Sequence, residues 1–450
     1  MCAALPDIPL TGVRVRDGAA EFHAAGVWNN GECGFNSSPG RERARQKTRN
    51  ITPVVPTQKG PWGIRFDFNC GARVQLPPGG TWHVRITDTE TGTVFADGDY
   101  DGGAHIFTAK KYYVPYMLEV RNNATGETWR HIMDMRGKPV VMHILVSTIG
   151  DVFAWFPYVE KFAQLHGCET YVCFADQKFK PLFRKQYPQL KLVPSSQAVK
   201  IAPYASYMLS LWWHGNTNCQ PYDHRFVGLA QSIGYILGVD PTPTPPRLDL
   251  SAPRKIAEPY VCVAAQSSTM SKNWQHPTGW RDLVYTLKRC GYRVLCIDRD
   301  REVTDGENVM RMPEGAEDFT GALPLQARID LLKDADFFIG MASGLAWVAW
   351  ACGIPVVMIG GFSHPLTEFF TPYRVINPHF CNSCWNDPHF DFDRHNWMWC
   401  PRHEGTARQH ECMKQITPEH VMRIITRIPA LQEHMKLQGE LHERSEEEGT

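Results

Sequence analysis

Short alternating stretches dominate the first quarter of the chain. Ile64-Arg-Phe-Asp-Phe68 and Thr81-Trp-His-Val-Arg-Ile86 alternate apolar and polar positions, as half-buried strands do. Glu90-Thr-Gly92 offers a turn before Thr93-Val-Phe-Ala96. Tyr112 to Val120 and Thr128 to Met133 continue the theme around the turn residues Asn122, Asn123 and Gly126. The pattern predicts a small antiparallel β module over residues 1–138. Within it, 29–63 is rich in Gly, Ser and Pro and carries Arg41, Arg43, Arg45, Lys47 and Arg49, so it reads as a long loop. A basic cluster of this kind is more often a solvated loop than a binding site.

At Pro139 the style changes. Val140-Val-Met-His-Ile-Leu-Val146 is a continuous apolar strand, Ser147 to Gly150 a turn, Asp151 to about His166 a helix, and Glu169 to Phe174 the next strand. Strands at Lys191–Val193 and Met208–Trp212 and a helix over Arg225–Leu237 complete one α/β domain, 139–246. The linker Asp240-Pro-Thr-Pro-Thr-Pro-Pro246 closes it. A second α/β domain, 247–430, alternates strands at Tyr260–Ala265, Arg293–Ile297, Asp336–Ile339 and Val356–Ile359 with helices at Thr278–Cys290, Leu325–Lys333 and Ser343–Cys352. Such alternation means doubly wound parallel sheets. A helix at Pro418–Ile428 and a frayed polar tail, 431–450, end the chain.

Composition narrows the picture. Lys plus Arg equal Asp plus Glu at 47 each, so no global field draws the chain to nucleic acid or an anionic membrane. Phe337 to Phe362 has no charged residue over 26 positions, long enough to span a bilayer, but Gly340, Gly344, Gly353, Pro355, Gly360 and Gly361 divide it into strand, helix and strand. No membrane insertion is expected. Met1 to Leu10 lacks the pattern of an export signal, so a cytoplasmic location is expected, with reduced thiols.

Of 14 cysteines, four fall within 32 residues: Cys381 and Cys384, with two residues between them, then Cys400 and Cys412. This spacing suits a closed four-thiolate metal site that braces the fold, zinc or iron in preference to a hard cation; two disulfides or four free thiols are the alternatives. Other candidates sit at strand ends. The Ile339-Gly-Met-Ala-Ser-Gly-Leu-Ala346 stretch ends a strand and opens a helix, so amides at Ser343, Gly344 and Leu345 can meet a phosphate, with Lys272 as countercharge. Asp151, where a first strand passes into a helix, can take a proton from an attacking hydroxyl, although an N-cap is the plain alternative. There is neither a Gly-x4-Gly-Lys-Ser/Thr nor a Gly-x-Gly-x-x-Gly motif.

Gly150-Asp151 in one half and Ser343-Gly344-Leu345 in the other resemble the GT-B heptosyltransferases of bacteria. With the N-terminal strand module, Lys110-Lys-Tyr-Tyr-Val-Pro115, Thr367-Glu-Phe-Phe-Thr-Pro-Tyr-Arg374, Cys381-Asn-Ser-Cys-Trp-Asn-Asp387, Cys400-Pro-Arg402 and Cys412, the chain resembles the bacterial autotransporter heptosyltransferase family over about 62–428. The resemblance implies a GT-B fold: two Rossmann-like domains facing across a cleft, an N-terminal antiparallel module and a four-cysteine metal insertion at 381–412. It implies heptose transfer from ADP-heptose to serines on autotransporter adhesin repeats, iron at the cysteines, and a ring-shaped dodecamer. Asp151 becomes the general base. Lys272, Ser343, Gly344 and Leu345, with Ala342 and Thr269 beside them, become the donor site. The lipopolysaccharide enzymes have Asp-Thr-Gly-Leu-Ser-His where this chain has Ala342-Ser-Gly-Leu-Ala-Trp347, so with that Asp and His lost the contacts to the sugar hydroxyls do not carry over. Two rival readings are a lipopolysaccharide-core heptosyltransferase and a nucleotide-sugar-binding scaffold without turnover.

Overall fold

The computed structural model describes residues 52–198, 200–213 and 216–448; the basic cluster from Arg41 to Arg49 and most of the 29–63 loop lie outside them. The first strands are β1 (Gln58–Lys59), β2 (Arg65–Asn69), β3 (Arg73–Gln75), β4 (Thr81–Asp88), β5 (Val94–Asp101), β6 (His105–Phe107), β7 (Tyr116–Asn122) and β8 (Thr128–Ile132). Four of them form an antiparallel sheet in the order β5-β4-β7-β8. Its inward side carries Trp82, Val84 and Ile86 from β4 and Tyr116, Leu118 and Val120 from β7, the alternation seen in the sequence.

The remaining strands of this region join the next unit. That unit contains β9 (Pro139–Ile144), α1 (Ile149–His166), β10 (Glu169–Phe174), β11 (Lys191–Val193), β12 (Ala205–Leu209) and α2 (Leu229–Leu237). Its parallel strands run β11-β10-β9-β12, and β2 then adds to β12 in parallel, followed by antiparallel β3 and β6. One sheet therefore crosses the expected border at 138/139. The reason is burial on both sides of β2: Phe66 and Phe68 are in the core, and Asp67 on the other side is buried in an ion pair with Arg73 at 2.6 Å. A strand covered on both faces belongs inside a larger sheet.

The second unit comprises β13 (Tyr260–Ala264), α3 (Gly279–Arg289), β14 (Arg293–Cys296), a hairpin of β15 (Glu302–Asp305) and β16 (Asn308–Arg311), β17 (Glu317–Asp318), α4 (Leu325–Leu332), β18 (Phe338–Met341), α5 (Gly344–Ala351), β19 (Val356–Ile359) and β20 (Arg374–Val375). The parallel order β17-β14-β13-β18-β19-β20 is the doubly wound 3-2-1-4-5-6 arrangement, with its switch point between β13 and β18. The charge-free run from Phe337 is thus β18, α5 and β19, and among the described residues no helix is long and apolar enough to cross a membrane.

Three local expectations change. The helix expected over 225–237 breaks at Gly228 (φ 88°), where a Cβ would lie 2.5 Å from the Leu366 carbonyl, leaving a short turn before α2. The strand expected at Met208–Trp212 begins at Ala205, because pairing with β9 fixes its register. The polar end continues as α6 (Pro418–Ile425) and α7 (Pro429–Glu448), the latter anchored by buried Leu431 and by His434 on the Cys290 carbonyl at 2.9 Å. The Pro-rich linker is tied down as well: Tyr158 donates to the Pro241 carbonyl (2.9 Å) and Lys161 to that of Thr242 (2.8 Å).

One apolar core runs unbroken from Phe66 through Trp155 to Ala346 and Trp347. A second, around Val263, Leu283, Ile339 and Ile425, fills the far face of the second sheet. The continuity of the first core presses the opening turns of α1 and α5 together at the cleft.

Candidate functional site

Each parallel sheet sets its first strand beside its fourth, and the crevice at their carboxyl ends is where such sheets bind ligands. Asp151 enters this crevice in the first turn of α1. The N-cap of that helix is Thr148, whose side chain caps no amide; its hydroxyl donates to the Asp151 carboxylate instead. Asp151 is therefore not the N-cap. It is half-buried, and burial pushes its carboxyl above the ordinary aspartate value, opposed by the Thr148 hydroxyl and the positive charge of Lys272.

Lys272 faces it from the other half, on the one-turn helix Met270–Lys272 after β13. Burial lowers its ammonium pKa, while Glu368 and Asp151 both pull it back up. The ammonium stands 5.0 Å over the Phe362 ring. Glu368 is a participant the sequence reading missed: it is buried, bonded to Ser363 (2.7 Å) and Arg374 (2.8 Å), and lies in the Thr367-to-Arg374 stretch quoted above only for its resemblance. Asp298 was also missed. It accepts the amides of Ala265 (2.7 Å) and Gln266 (3.3 Å), which fixes the exit of β13, and burial raises its carboxyl to about 6.

The start of α5 fits its expected role only in part. Ser343 is its N-cap, but the Ser343 amide donates to the Met341 carbonyl at 2.7 Å and is no longer free for a phosphate. Gly344 and Leu345 lie in the first turn, where amides have no intrahelical acceptor. Ala342, next to β18, is buried and offers no polar side chain. Thr269 also departs from expectation. Its buried hydroxyl donates to the Trp397 carbonyl at 2.7 Å and sits 3.0 Å from Ser271, so it is engaged within the protein.

Close approach of the two helix starts needs glycine on both sides. A Cβ on Gly344 would stand 2.8 Å from Ile149 Cβ, and one on Gly150 2.9 Å from Trp347 Cδ1. Gly344→Ala is expected to cost about 1–3 kcal/mol, as overpacking does, and to lower turnover by parting Asp151 from Lys272. Thermal unfolding and initial rates check this; no change in either means that the contact is not needed.

The cysteine insertion leaves β19 at Gly361, where a Cβ would be 2.8 Å from Cys412 Cβ. All 12 cysteines among the described residues are free thiols, so the disulfide alternative is not what the structure has. Cys381 and Cys384 Sγ are 4.0 Å apart, near the ~3.8 Å edge of a tetrahedron with metal–sulfur bonds of about 2.3 Å. Burial and the neighbouring thiols raise Cys384 to about 12, and Cys412 feels Cys384, Cys381 and Cys400 in the same way. The His410 amide points at Cys400 Sγ (3.5 Å) and Arg402 at Cys381 Sγ (3.7 Å), donors suited to a thiolate shell. A second set shares Cys381: its sulfur, His403 and Glu411 have ligand atoms within 4.8 Å of one another. Glu411 is already clamped by Arg408 (2.6 and 2.9 Å) and the Cys381 amide (3.1 Å), which marks it as a bracket for the insertion.

Residues 60–124 match the model of the N-terminal domain of glycosyltransferase TibC, and 232–398 that of glycosyltransferase family 9 (heptosyltransferase). The autotransporter heptosyltransferase TibC of Escherichia coli O78:H11 is 47% identical over 377 residues, covering 84% of this chain and 92% of that one. The inactive autotransporter heptosyltransferase BimC of Burkholderia thailandensis is 39% identical over 381 residues, covering 84% and 88%. The crystal structure of dodecameric, iron-containing E. coli TibC with ADP-D-beta-D-heptose superposes with a TM-score of 0.81 at 45% identity, over 85% of this chain and 99% of that one. With two Rossmann-like sheets meeting at a cleft and this degree of identity over most of its length, the chain belongs to the autotransporter heptosyltransferase family.

Proposed function

We propose that this protein transfers heptose from ADP-heptose to serine hydroxyls on the repeats of a bacterial autotransporter adhesin, in the cytoplasm. Residues 139–246, with the strands borrowed from 1–138, form the acceptor side, and 247–430 the donor side. The observation that carries the reading is that Asp151, in the first turn of α1, and Lys272, on the turn after β13, stand near enough across the cleft for each to feel the other's charge. A serine Oγ attacks the anomeric carbon as the bond from that carbon to the diphosphate breaks. Asp151 takes the serine proton, and the leaving ADP keeps the electron pair. Lys272 and the first-turn amides of Gly344 and Leu345 hold the growing negative charge.

Family membership by itself does not guarantee turnover, since BimC is an inactive relative. A scaffold has no use for a carboxylate kept basic by burial opposite a lysine, and this favours the active reading. Intact mass of a co-expressed autotransporter passenger tests it: whole-heptose increments are expected, and their absence with folded enzyme present overturns the reading.

The four thiols Cys381, Cys384, Cys400 and Cys412 would hold a structural metal, iron by analogy with TibC, supplying folding free energy and no step of the transfer. A dodecameric ring follows by the same analogy.

Acid should silence the enzyme early. A base works only when ionised, so kcat/KM falls as pH drops through the Asp151 pKa, and burial places that limb above the ordinary aspartate range of about 4. Lys272→Ala should move the limb further up, because the lysine charge is one of the influences holding it down. A pH–rate profile of each protein checks both shifts.

A further inference from the structure

The loop that carries Lys272 leaves its own sheet at Ala265 and Gln266, held there by Asp298, and further along, at Thr269 and Met270, it is held by the cysteine insertion. The Thr269 hydroxyl (2.7 Å) and the Met270 amide (2.9 Å) both donate to one acceptor, the carbonyl of Trp397. The Lys272 amide in turn donates to the Thr269 carbonyl at 3.1 Å, so the lysine hangs directly from the anchored residue. Gln275 adds a second tie. Its amide reaches the Met270 carbonyl (2.5 Å) and His410 Nδ1 (3.1 Å), while His410 Nε2 pairs with the Met398 carbonyl at 3.1 Å. The side chain of Lys272 also rests on the insertion: its Phe362 platform packs against Phe392 and Trp399 at 5.5 and 5.7 Å.

Residues 396–409 contain no helix or strand. Their shape depends on Cys400 within the segment, on Cys412 just after it, and on these ties.

We propose that Thr269 is a positioning residue for donor binding, latching the Lys272 loop to the cysteine insertion through the Trp397 carbonyl. This rests on the reading of Lys272 as the contact to the donor diphosphate. Thr269 itself touches no donor atom; it sets where the ammonium stands, so that the insertion governs donor affinity as well as stability.

The test is ADP affinity by calorimetry on the full chain, beside amide exchange of residues 270–273 without ligand. Thr269→Val keeps the branched shape and removes the hydroxyl. It should weaken ADP by about 2- to 10-fold, the net worth of one hydrogen bond, and speed exchange in the loop. Thr269→Ser should restore both, and kcat at saturating donor should fall no further than ADP affinity does, because the displaced lysine also steadies the leaving diphosphate while Asp151 is untouched. Gln275→Ala, cutting the second tie, should act in the same direction and serves if Thr269→Val fails to fold. In a Lys272→Ala background, Thr269→Val should add nothing further, since it acts through the lysine. Additive losses would mean that Thr269 contacts the donor itself, and unchanged exchange with unchanged affinity would mean that the latch does not matter; either result overturns the proposal. If Lys272→Ala alone leaves ADP affinity intact, the reading of the donor site fails instead.

Discussion

Asp151→Asn is expected to lower kcat by about 10²- to 10⁴-fold, the usual cost of removing a general base, with ADP binding retained. The substitution keeps shape and leaves the Thr148 hydroxyl a carbonyl oxygen to bond. It removes the only carboxylate that α1 brings to the crevice opposite Lys272 among the described residues. Loss of the negative charge should even tighten ADP slightly, because Lys272 then has one anionic neighbour fewer to share its charge with. Single-turnover rates with ADP-heptose and calorimetry with ADP separate the two effects. Near-parental turnover would remove Asp151 from the mechanism.

Replacing any one of Cys381, Cys384, Cys400 or Cys412 by Ser is expected to lower metal content and melting temperature together. A closed thiolate site contributes folding free energy directly, on the order of 10 kcal/mol in small zinc domains. Here the loss should concentrate in the insertion, whose core is the small cluster of Phe362, Cys384, Trp385 and Trp399. Elemental analysis of protein purified without added metal distinguishes iron from zinc. A stable, metal-free and fully active preparation would refute the four-thiol assignment. His403→Ala tests the competing set: if it removes the metal while Cys400→Ser does not, the ligands are Cys381, His403 and Glu411.

The parts of this molecule that repeat along the chain were legible in the sequence. Long apolar strands such as β9 and β13, and helices such as α1 and α3, declare themselves by period, and their alternation implied two doubly wound sheets. Strands of two to four residues, such as β3, β6 and β17, hold too few positions to show a period and were missed. Sheet membership was also hidden, because nothing local in Arg65–Asn69 says that its neighbour will be Ala205–Leu209. The site followed the same division. Asp151 and Lys272 stand at strand ends, which topology brings together, so their place at the crevice was legible in the sequence. The bond from Thr269 to the Trp397 carbonyl was not legible, because Trp397 lies far along the chain in a segment without regular structure. The single turn bond that takes the Ser343 amide to the Met341 carbonyl was likewise not legible in the sequence. Glu368 and Asp298 had no motif to mark them; only burial beside the donor loop reveals them.

The insertion of β2 beside β12 has a consequence for how the protein is made. Phe68 lies opposite Ala205 and Asn69 opposite Ser206, so β2 has no parallel partner until the chain has been synthesised through Leu209 and beyond the ribosome. Until then β1 covers only Arg65 and Phe66 on that edge of β2, and the stretch from Phe68 is left unpaired, a template for pairing with another nascent chain. Contacts this distant in sequence also close slowly. A fragment ending near residue 138 should thus be recovered as aggregate even though its four-stranded antiparallel sheet is complete.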